Sequence, residues 1–287
     1  MAVEDTVIVQ DDGLPCPEVG PWAETKHNLV SYYAKQFSTG MKKKWDKRIY
    51  IELYAGAGHS KIRDTSKTIM GSPLRALMLP DPFDRYIFCE ENPELIKALE
   101  LRARKLAPSA DIVCVAGDCN TKVSEILRAI PVGSKENKVL SLCFVDPCDI
   151  GIKFRTIAAI SSRYVDFLVL LALYMDANRA YTHYVNQKST KVAEFLDAPQ
   201  WRADWEKVQS HGVSFPRFLA EAFSRSMEGL RYLPQPIYKM KEIIFPDKNW
   251  PLYRLALFSR DPVAYKLWDD VLKYSSDQML LGGGSWH

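Results

Sequence analysis

The sequence predicts a doubly wound, Rossmann-like α/β domain from about residue 48 to residue 260. Strand-like apolar runs alternate with helical segments, and the middle runs are almost continuously apolar, which is typical of a parallel sheet covered by helices on both faces. Two further strand-like segments follow, joined by a turn too short for a helical crossover, so they should pair antiparallel. The prediction is a mostly parallel sheet with a C-terminal antiparallel hairpin.

The α/β core is predicted to span residues 48–173. Apolar runs predict strands at 48–53, 85–89, 111–115, 138–145 and 165–173. Helices are predicted at 71–79, 93–106, 121–130 and 154–162. The helix at 93–106 has the clearest start, because Asn92 is a favourable N-cap and Pro93 suits the first helical position.

Four other regions flank or interrupt this core. Residues 1–47 form an N-terminal lead-in with a helix over about 22–37, and residues 174–235 form a helical insertion after strand five. Residues 236–275 hold the last two strands, at 237–245 and 252–259, and a C-terminal helix. The glycine-rich end, 276–287, is predicted to be a flexible tail.

Composition sets broad limits on function. The chain has 287 residues, of which 47% are hydrophobic and 25% charged, as in an ordinary soluble globular protein. No apolar run approaches the roughly 20 residues of a membrane span. Six cysteines without a Cys-x-x-Cys pair, and histidines without metal-ligand spacing, predict no metal site and a reducing, cytoplasmic setting.

A glycine-containing turn follows the first predicted strand. It reads Tyr54-Ala55-Gly56-Ala57-Gly58 and is preceded by Glu52. Glycines allow the backbone to approach a ligand closely, and ligands of doubly wound folds bind outside the carboxyl ends of the strands. Alone, this pattern also fits a simple tight turn.

Three acidic residues strengthen the prediction, because each falls at the carboxyl end of a strand. Glu90 ends strand two, Asp118 follows strand three next to Cys119, and Asp146 ends strand four. At these places Glu90 can accept hydrogen bonds from both ribose hydroxyls and Asp118 from an adenine amino group. Asp146 stands beside the place where a methyl group would be delivered. Each alone could be a helix cap, but together they favour a nucleoside-type cofactor.

Two cofactors compete for such a crevice. A nicotinamide dinucleotide usually requires a third glycine in Gly-x-Gly-x-x-Gly, and here Lys61 occupies that position. The Asp146-Pro147 pair also has no role in hydride transfer. S-adenosylmethionine (SAM) therefore fits better, and a parallel sheet completed by one antiparallel hairpin is typical of class I methyltransferases.

At these residues the chain resembles the three-Cys-motif partner (TcmP) family, which is similar to class I SAM-dependent methyltransferases. The resemblance covers most of the chain. It rests on a Trp-x-x-x-Lys pattern at 22–26, Tyr-Tyr at 32–33, YIELYAGAG at 50–58, Gly-Ser-Pro at 71–73 and Phe-Val-Asp-Pro at 144–147. It implies a SAM-dependent methyltransferase that acts with a separate protein bearing three cysteines.

Roles for individual residues follow from this resemblance. It implies that Glu52, Gly56 and Gly58 surround the methionine part of SAM, and it places the ribose at Glu90 and the adenine at Asp118. Tyr54, Ala55, Cys119 and Asp146 are further predicted contacts of the cofactor. Lys26 can reach the SAM carboxylate, or is a solvated helix lysine, and Asp146 with Pro147 forms the catalytic pair.

The substrate end departs from a familiar pattern. DNA amino-methylating enzymes carry Asp-Pro-Pro-Tyr, whose aromatic stacks on a flipped base, whereas this chain has Asp-Pro-Cys-Asp at 146–149. Tyr174 is a candidate substitute for the aromatic. A non-catalytic SAM-binding or scaffold module that docks the partner is the alternative to an enzyme. Basic residues at 42–48 and 61–67 fit either nucleic-acid phosphates or a solvated face.

Overall fold

The computed structural model describes residues 6–186, 188–245 and 249–282, and it describes side chains as far as residue 273. Residues 283–287, part of the predicted tail, and residues 246–248 of the predicted hairpin turn lie outside these ranges. Helix α10 (Pro262–Gly282) continues into the range 276–287, where the glycine-rich sequence predicted a flexible tail.

A seven-stranded sheet forms the centre of the fold. Its strands are β3 (Lys47–Leu53), β6 (Arg85–Glu90), β7 (Ile112–Ala116), β8 (Val139–Val145), β9 (Val165–Leu171), β10 (Lys241–Phe245) and β11 (Trp250–Phe258). Their order is β10-β11-β9-β8-β3-β6-β7. The pairs from β7 to β9 are parallel, whereas β11 is antiparallel to both β9 and β10. The predicted mostly parallel sheet with a C-terminal antiparallel hairpin is confirmed.

Helices cover both faces of this sheet. They are α1 (Trp22–Met41), α2 (Ser72–Leu77), α3 (Pro93–Leu106), α4 (Val123–Ala129), α5 (Phe154–Ile160), α6 (Tyr181–Val185), α7 (Lys191–Leu196), α8 (Trp201–Gln209), α9 (Phe215–Gly229) and α10. Strand β8 shows why both faces are apolar. Its Leu142 and Phe144 pack with α1, α2, α3 and α10, while Cys143 and Val145 pack with α4, α5 and α9, as the two-residue period of a strand requires.

Helix α3 begins where the sequence predicted. Asn92 Oδ1 accepts from the backbone N–H of Glu94 at 2.9 Å and of Leu95 at 3.4 Å, and Pro93 occupies the first turn. The cap satisfies two of the N–H groups that have no partner within the helix. The rest of the helical core also lies within a few residues of its predicted bounds.

A second, four-stranded sheet was not predicted. Its strands are β1 (Ile8–Val9), β2 (Glu18–Val19), β4 (His59–Ile62) and β5 (Thr68–Met70), in the order β1-β5-β4-β2. The N-terminal lead-in supplies two of them and the segment after the glycine turn supplies the others. Strands of two to four residues are too short to show a period of two, so the sequence carries little signal for them.

The segment between β9 and β10 is helical. A π-helical turn at Leu173–Asn178 follows β9 directly, and α6 to α9 come next. The predicted strand at 237–245 is shorter than expected, because Ile237–Lys239 forms a 3-10 turn and pairing starts only where Lys241 meets Leu255. None of the described helices has the length and apolar character required to cross a membrane.

Candidate functional site

Four neighbouring strands of the main sheet end at one edge. Backbone hydrogen bonds tie the segments that leave these strands: Asp146 N donates to Leu53 O at 3.3 Å, and Ala55 N donates to Cys89 O at 2.9 Å. Gly117 N donates to Glu90 O at 2.9 Å. Because β8, β3, β6 and β7 are adjacent and parallel, the residues predicted for the site belong to consecutive turns on a single edge.

The glycine turn after β3 is shaped by positive backbone φ angles. Gly56 has φ +62°, and a Cβ at this position would meet nothing within 4 Å, so Gly56 borders open space. Gly58 has φ +81° and packs against Leu74 and Leu99. Tyr54 has φ +68°, which is rare for a bulky residue and marks local strain of the kind found at ligand sites. Gly56 thus leaves room beside the turn, whereas Gly58 allows close packing against α2 and α3.

Glu90 holds the glycine turn in place. Its Oε2 accepts from Gly56 N at 3.0 Å and its Oε1 accepts from Asn92 N at 2.9 Å. Each carboxylate oxygen has a second lone pair. Glu90 therefore retains acceptor capacity at the place where the sequence predicted ribose hydroxyls.

Asp118 lines a cavity of about 480 Å³ together with Asn120, the segments 150–153 and 188–191, His183 and Glu194. Its Oδ1 accepts from both the backbone N and the side-chain Nδ2 of Asn120, at 2.9 and 3.0 Å. Among the described residues these bonds use Oδ1, which leaves Oδ2 for a further donor. The predicted adenine residue therefore borders a cavity.

Cys119, in the turn after β7, and Tyr54, in the turn after β3, share a hydrogen bond. Cys119 is only 3% exposed, and burial raises the pKa of its thiol to about 12 despite a hydrogen bond with Tyr54. Burial likewise raises the pKa of the Tyr54 phenol, and Cys119 adds to that effect. Both groups are therefore neutral near pH 7, and they form an uncharged wall beside Asp118.

Lys26 reaches from α1 to the turn after β8. Its Nζ lies 2.5 Å from Asp146 Oδ2, and only 14% and 13% of the two side chains are exposed. Burial raises the pKa of Asp146, while the charge and hydrogen bond of Lys26 act in the opposite direction. Pro147 is buried and Cys148 exposed. The two residues predicted for different ends of the ligand thus form one ion pair.

Glu52 lies inside the protein rather than on the open side of the turn. It is 0% exposed, and its carboxyl oxygens accept from Tyr50 OH at 2.8 Å and from Ser72 Oγ at 2.6 Å. Burial raises its pKa to about 8, against the effect of these hydrogen bonds. The contacts that the structure shows for Glu52 join β3 to α2.

Three residues that organise the site were not identified from the sequence. Ser72 links α2 to Glu52. Asn120 connects two turns, because it donates to Gly151 O at 3.1 Å and accepts from Lys153 N and Thr156 Oγ1 at 2.9 Å. The only sequence signal for Ser72 is its place in Gly-Ser-Pro, and Asn120 stands beside Asp118 without a periodic pattern.

Arg102 is the third of these residues. It is buried, donates to Ala57 O in the glycine turn at 2.7 Å, and also binds the Asp12 carboxylate and the carbonyls of Leu14 and Pro15. The N-terminal segment is thereby fastened to the glycine turn. An arginine in the middle of a helix gives no sequence signal for such a contact, since most helix arginines are solvated.

The helical segment after β9 is attached to the turn after β8. Lys191 of α7 pairs with Asp149, and Ile150 N donates to Asp176 Oδ2 at 2.9 Å. Tyr174, the candidate stacking aromatic, lies in the π-helical turn, and its hydroxyl accepts from Arg254 Nη2 at 3.3 Å. Changes in the helical segment can therefore reach the turn that carries Asp146.

The basic residues at 42–48 lie at the other end of the sheet. They follow the end of α1 and lead into the start of β3. Lys42 pairs with Asp81 at 2.7 Å, and Arg48 donates to the carbonyls of Ser38 and Pro82. In the described ranges no group of three or more His, Cys, Asp or Glu side chains could hold a metal ion.

Comparisons with known proteins give likenesses in structure alone. No protein-family model matches the chain, and no curated protein matches it. An O-methyltransferase from Bacillus cereus, solved with SAH, is 8% identical, with 86% of this chain and 84% of that chain covered and a TM-score of 0.47.

Two further solved structures are similar to the same extent. The O-methyltransferase TomG from Streptomyces achromogenes, solved with SAM, is 11% identical over 88% of this chain and 92% of its own, with a TM-score of 0.44. A protein from Legionella pneumophila strain Philadelphia 1 is 15% identical over 84% and 89%, with a TM-score of 0.48.

The strand order and strand directions define the class of fold. Strands β7, β6, β3, β8 and β9 are parallel. Strand β11 lies antiparallel between β9 and the edge strand β10, and this arrangement is the Rossmann-like class I methyltransferase sheet. The chain thus has a methyltransferase-like fold.

Proposed function

We propose that this protein binds SAM across the carboxyl ends of β8, β3, β6 and β7 and transfers its methyl group to an acceptor. The observation that carries the proposal is the convergence of Gly56, Glu90, Asp118 and Asp146 on four consecutive turns of one sheet edge. Ligands of such sheets bind at this edge. Two of the similar structures were solved with SAH or SAM.

The residues at this edge fit the chemical parts of the cofactor. Gly56 borders open space where a ligand backbone can approach. Glu90 retains acceptor capacity for ribose hydroxyls, and Asp118 lines a cavity. Lys26 has three N–H donors, so it can hold a cofactor carboxylate while still contacting Asp146.

Glu52 supports the site indirectly in this proposal. Its carboxyl group accepts a hydrogen bond from Ser72 at the start of α2, and the neighbouring Gly71 N donates to Gly58 O of the glycine turn at 2.7 Å. Tyr54, Ala55 and Cys119 form the neutral lining of the cofactor site.

SAM supplies an electrophilic methyl group on a sulfonium. The protein's part is positioning, which is worth most when the reacting groups are held in line. Asp146 can accept a hydrogen bond from the acceptor's nucleophilic group, and Pro147, which is buried, fixes the backbone of that turn. Lys26 controls how much negative charge Asp146 presents to the acceptor.

The proposal includes a partner protein and a class of methyl acceptor. The resemblance to the three-Cys-motif partner family supports a separate three-cysteine protein, and the helical segment after β9 offers it a surface. A nucleic-acid acceptor is supported by the basic residues alone. Those at 42–48 lie at the opposite end of the sheet, between α1 and β3, whereas those at 61–67 follow the glycine turn, in β4 and the segment that leads to β5.

A non-catalytic scaffold is the second candidate. Two observations favour it: Asp149, which pairs with Lys191, stands where base-methylating enzymes carry a stacking aromatic, and Lys26 already neutralises Asp146. In this case SAM binding is retained and the helical segment docks the partner.

Two experiments separate these functions. Isothermal calorimetry with SAM, NAD and buffer should show binding of SAM only, weakened at least tenfold by Asp118→Ala. A radiolabelled methyl-transfer assay on DNA, RNA and the partner protein should show transfer that Asp146→Ala abolishes. Binding of SAM without transfer to any of these acceptors would support the scaffold, and preference for NAD would contradict the proposal.

A further inference from the structure

A groove of about 990 Å³ lies along helix α9, and none of its lining residues belongs to the four turns of the proposed cofactor site. It is lined from Ser214 to Glu228 on the helix side, by the segment 234–240, and by Glu242 and Arg254 of the antiparallel hairpin. Its volume is at the upper end of small-molecule pockets, about 300–1,000 Å³. Since the 15 residues of α9 extend about 22 Å, the groove suits an extended occupant.

The charges that line the groove cancel. Arg217 pairs with Glu221 at 2.9 Å, and Arg254 pairs with Glu242. Arg225 and Glu228 add one further charge of each sign. A polyanion such as nucleic acid would meet three carboxylates here, so the charge pattern favours an occupant without net charge.

Two N–H donors in the groove wall have no acceptor among the described residues. They are Nε2 of Gln235, a residue that is only 3% exposed, and Nε of Arg254. A buried donor without an acceptor is destabilising. Small rotations of these side chains toward the groove would give each an acceptor if the occupant carries carbonyl oxygens.

Aromatic rings complete the lining. Tyr238 is 81% exposed, a high value for a large side chain in the wall of a groove. Tyr174 lies beside Arg254, whose guanidinium is 6.0 Å from the ring centre. Tyrosine is enriched in protein interfaces because one ring supplies apolar area and a polar tip.

We propose that this groove binds an extended, electrically neutral segment of a partner polypeptide. Its backbone carbonyl oxygens accept hydrogen bonds from Gln235 and Arg254, and its side chains pack on Tyr238. The groove does not depend on SAM. Loss of peptide binding would therefore contradict this proposal alone, and loss of SAM binding would contradict the proposed function alone.

The test uses a displayed library of random linear 12-residue peptides, selected on the full chain. The enriched peptides are synthesised, and their affinities are measured by fluorescence anisotropy for wild type, Tyr238→Ala and Gln235→Leu. The matched control is Tyr164→Ala, because Tyr164 is 41% exposed and lies outside the groove. Thermal unfolding checks each variant, and Tyr238→Ala carries the test if Gln235→Leu does not fold.

The expected peptides have a net charge near zero. They bind wild type and Tyr164→Ala with affinities within twofold, and they bind Tyr238→Ala and Gln235→Leu at least tenfold more weakly. SAM affinity is the same in all folded variants. The proposal is overturned if no peptide is enriched, if Tyr238→Ala leaves the affinities unchanged, or if a dT12 oligonucleotide displaces the peptides from the groove.

Discussion

Lys26 Nζ and Asp146 Oδ2 lie 2.5 Å apart although 120 residues separate them in the chain. The pair connects α1 to the turn after β8, and both side chains are largely buried. A carboxylate left in such a place without its cation is costly. The N-terminal helix is thus part of the candidate site rather than a separate lead-in.

Removing only the cation of this pair should destabilise the protein. Lys26→Met leaves Asp146 buried without a partner, and we expect a loss of about 2–3 kcal/mol in the free energy of unfolding near pH 7. The double variant Lys26→Met/Asp146→Asn should recover at least about 1 kcal/mol of that loss. Urea unfolding of both single variants and the double variant measures the coupling, and additive effects would show that the pair contributes nothing.

Glu52 should make the protein less stable as the pH rises. Its pKa is about 8 in the folded protein and 4.5 ordinarily, because burial disfavours the charged form. The folded state therefore holds this proton more tightly. The stabilisation is present below pH 4.5 and is lost as the pH rises through 8.

Glu52→Gln removes this dependence. We expect the variant to lose less stability than wild type between pH 5 and pH 9, by as much as about 4 kcal/mol, because the neutral amide keeps an acceptor for Ser72. Urea unfolding at several pH values tests this, and parallel pH profiles for variant and wild type would refute the raised pKa.

Asp166, at the opposite end of the sheet, should also make the protein less stable as the pH rises. Burial raises its pKa from 3.8 to about 7, although a hydrogen bond with Ser259 opposes this. Its stabilising effect is therefore lost as the pH rises from about 4 through 7. Asp166→Asn should be more stable than wild type at pH 8 by roughly 1–3 kcal/mol, measured by urea unfolding. SAM affinity serves as the control and should not change.

The two glycines of the turn after β3 should respond differently to alanine. At Gly58 a Cβ would lie 2.9 Å from atoms of Leu74 and Leu99, and φ is +81°, so Gly58→Ala should cost about 2–4 kcal/mol of stability. At Gly56 the Cβ meets open space, so Gly56→Ala should cost only about 1 kcal/mol while weakening SAM binding.

Thermal unfolding and calorimetry of these two variants provide the comparison. If Gly56→Ala bound SAM as tightly as wild type does, the open space beside Gly56 would not be part of the cofactor site.

The sequence predicted the elements with strong local signals. Helix α3 has an N-cap and a proline at its start, and β8 and β9 are continuous apolar runs. The strand ends then placed Glu90, Asp118 and Asp146 on one edge, because parallel strands share the direction of their carboxyl ends.

The rest depends on contacts between distant residues. Ser72, Asn120 and Arg102 act through hydrogen bonds to residues 20 to 90 positions away, and no local pattern encodes such distances. Glu52 was predicted as a cofactor contact because it stands beside the glycine turn, and its hydrogen bonds to Tyr50 and Ser72 could not be predicted from a local pattern.

A crystal structure of the protein soaked with S-adenosylhomocysteine would test the central claim most directly. We predict density for one molecule across the ends of β8, β3, β6 and β7, with the ribose hydroxyls within hydrogen-bond distance of Glu90 and the adenine beside Asp118. Density at another place in the molecule, or none at a saturating ligand concentration, would contradict it.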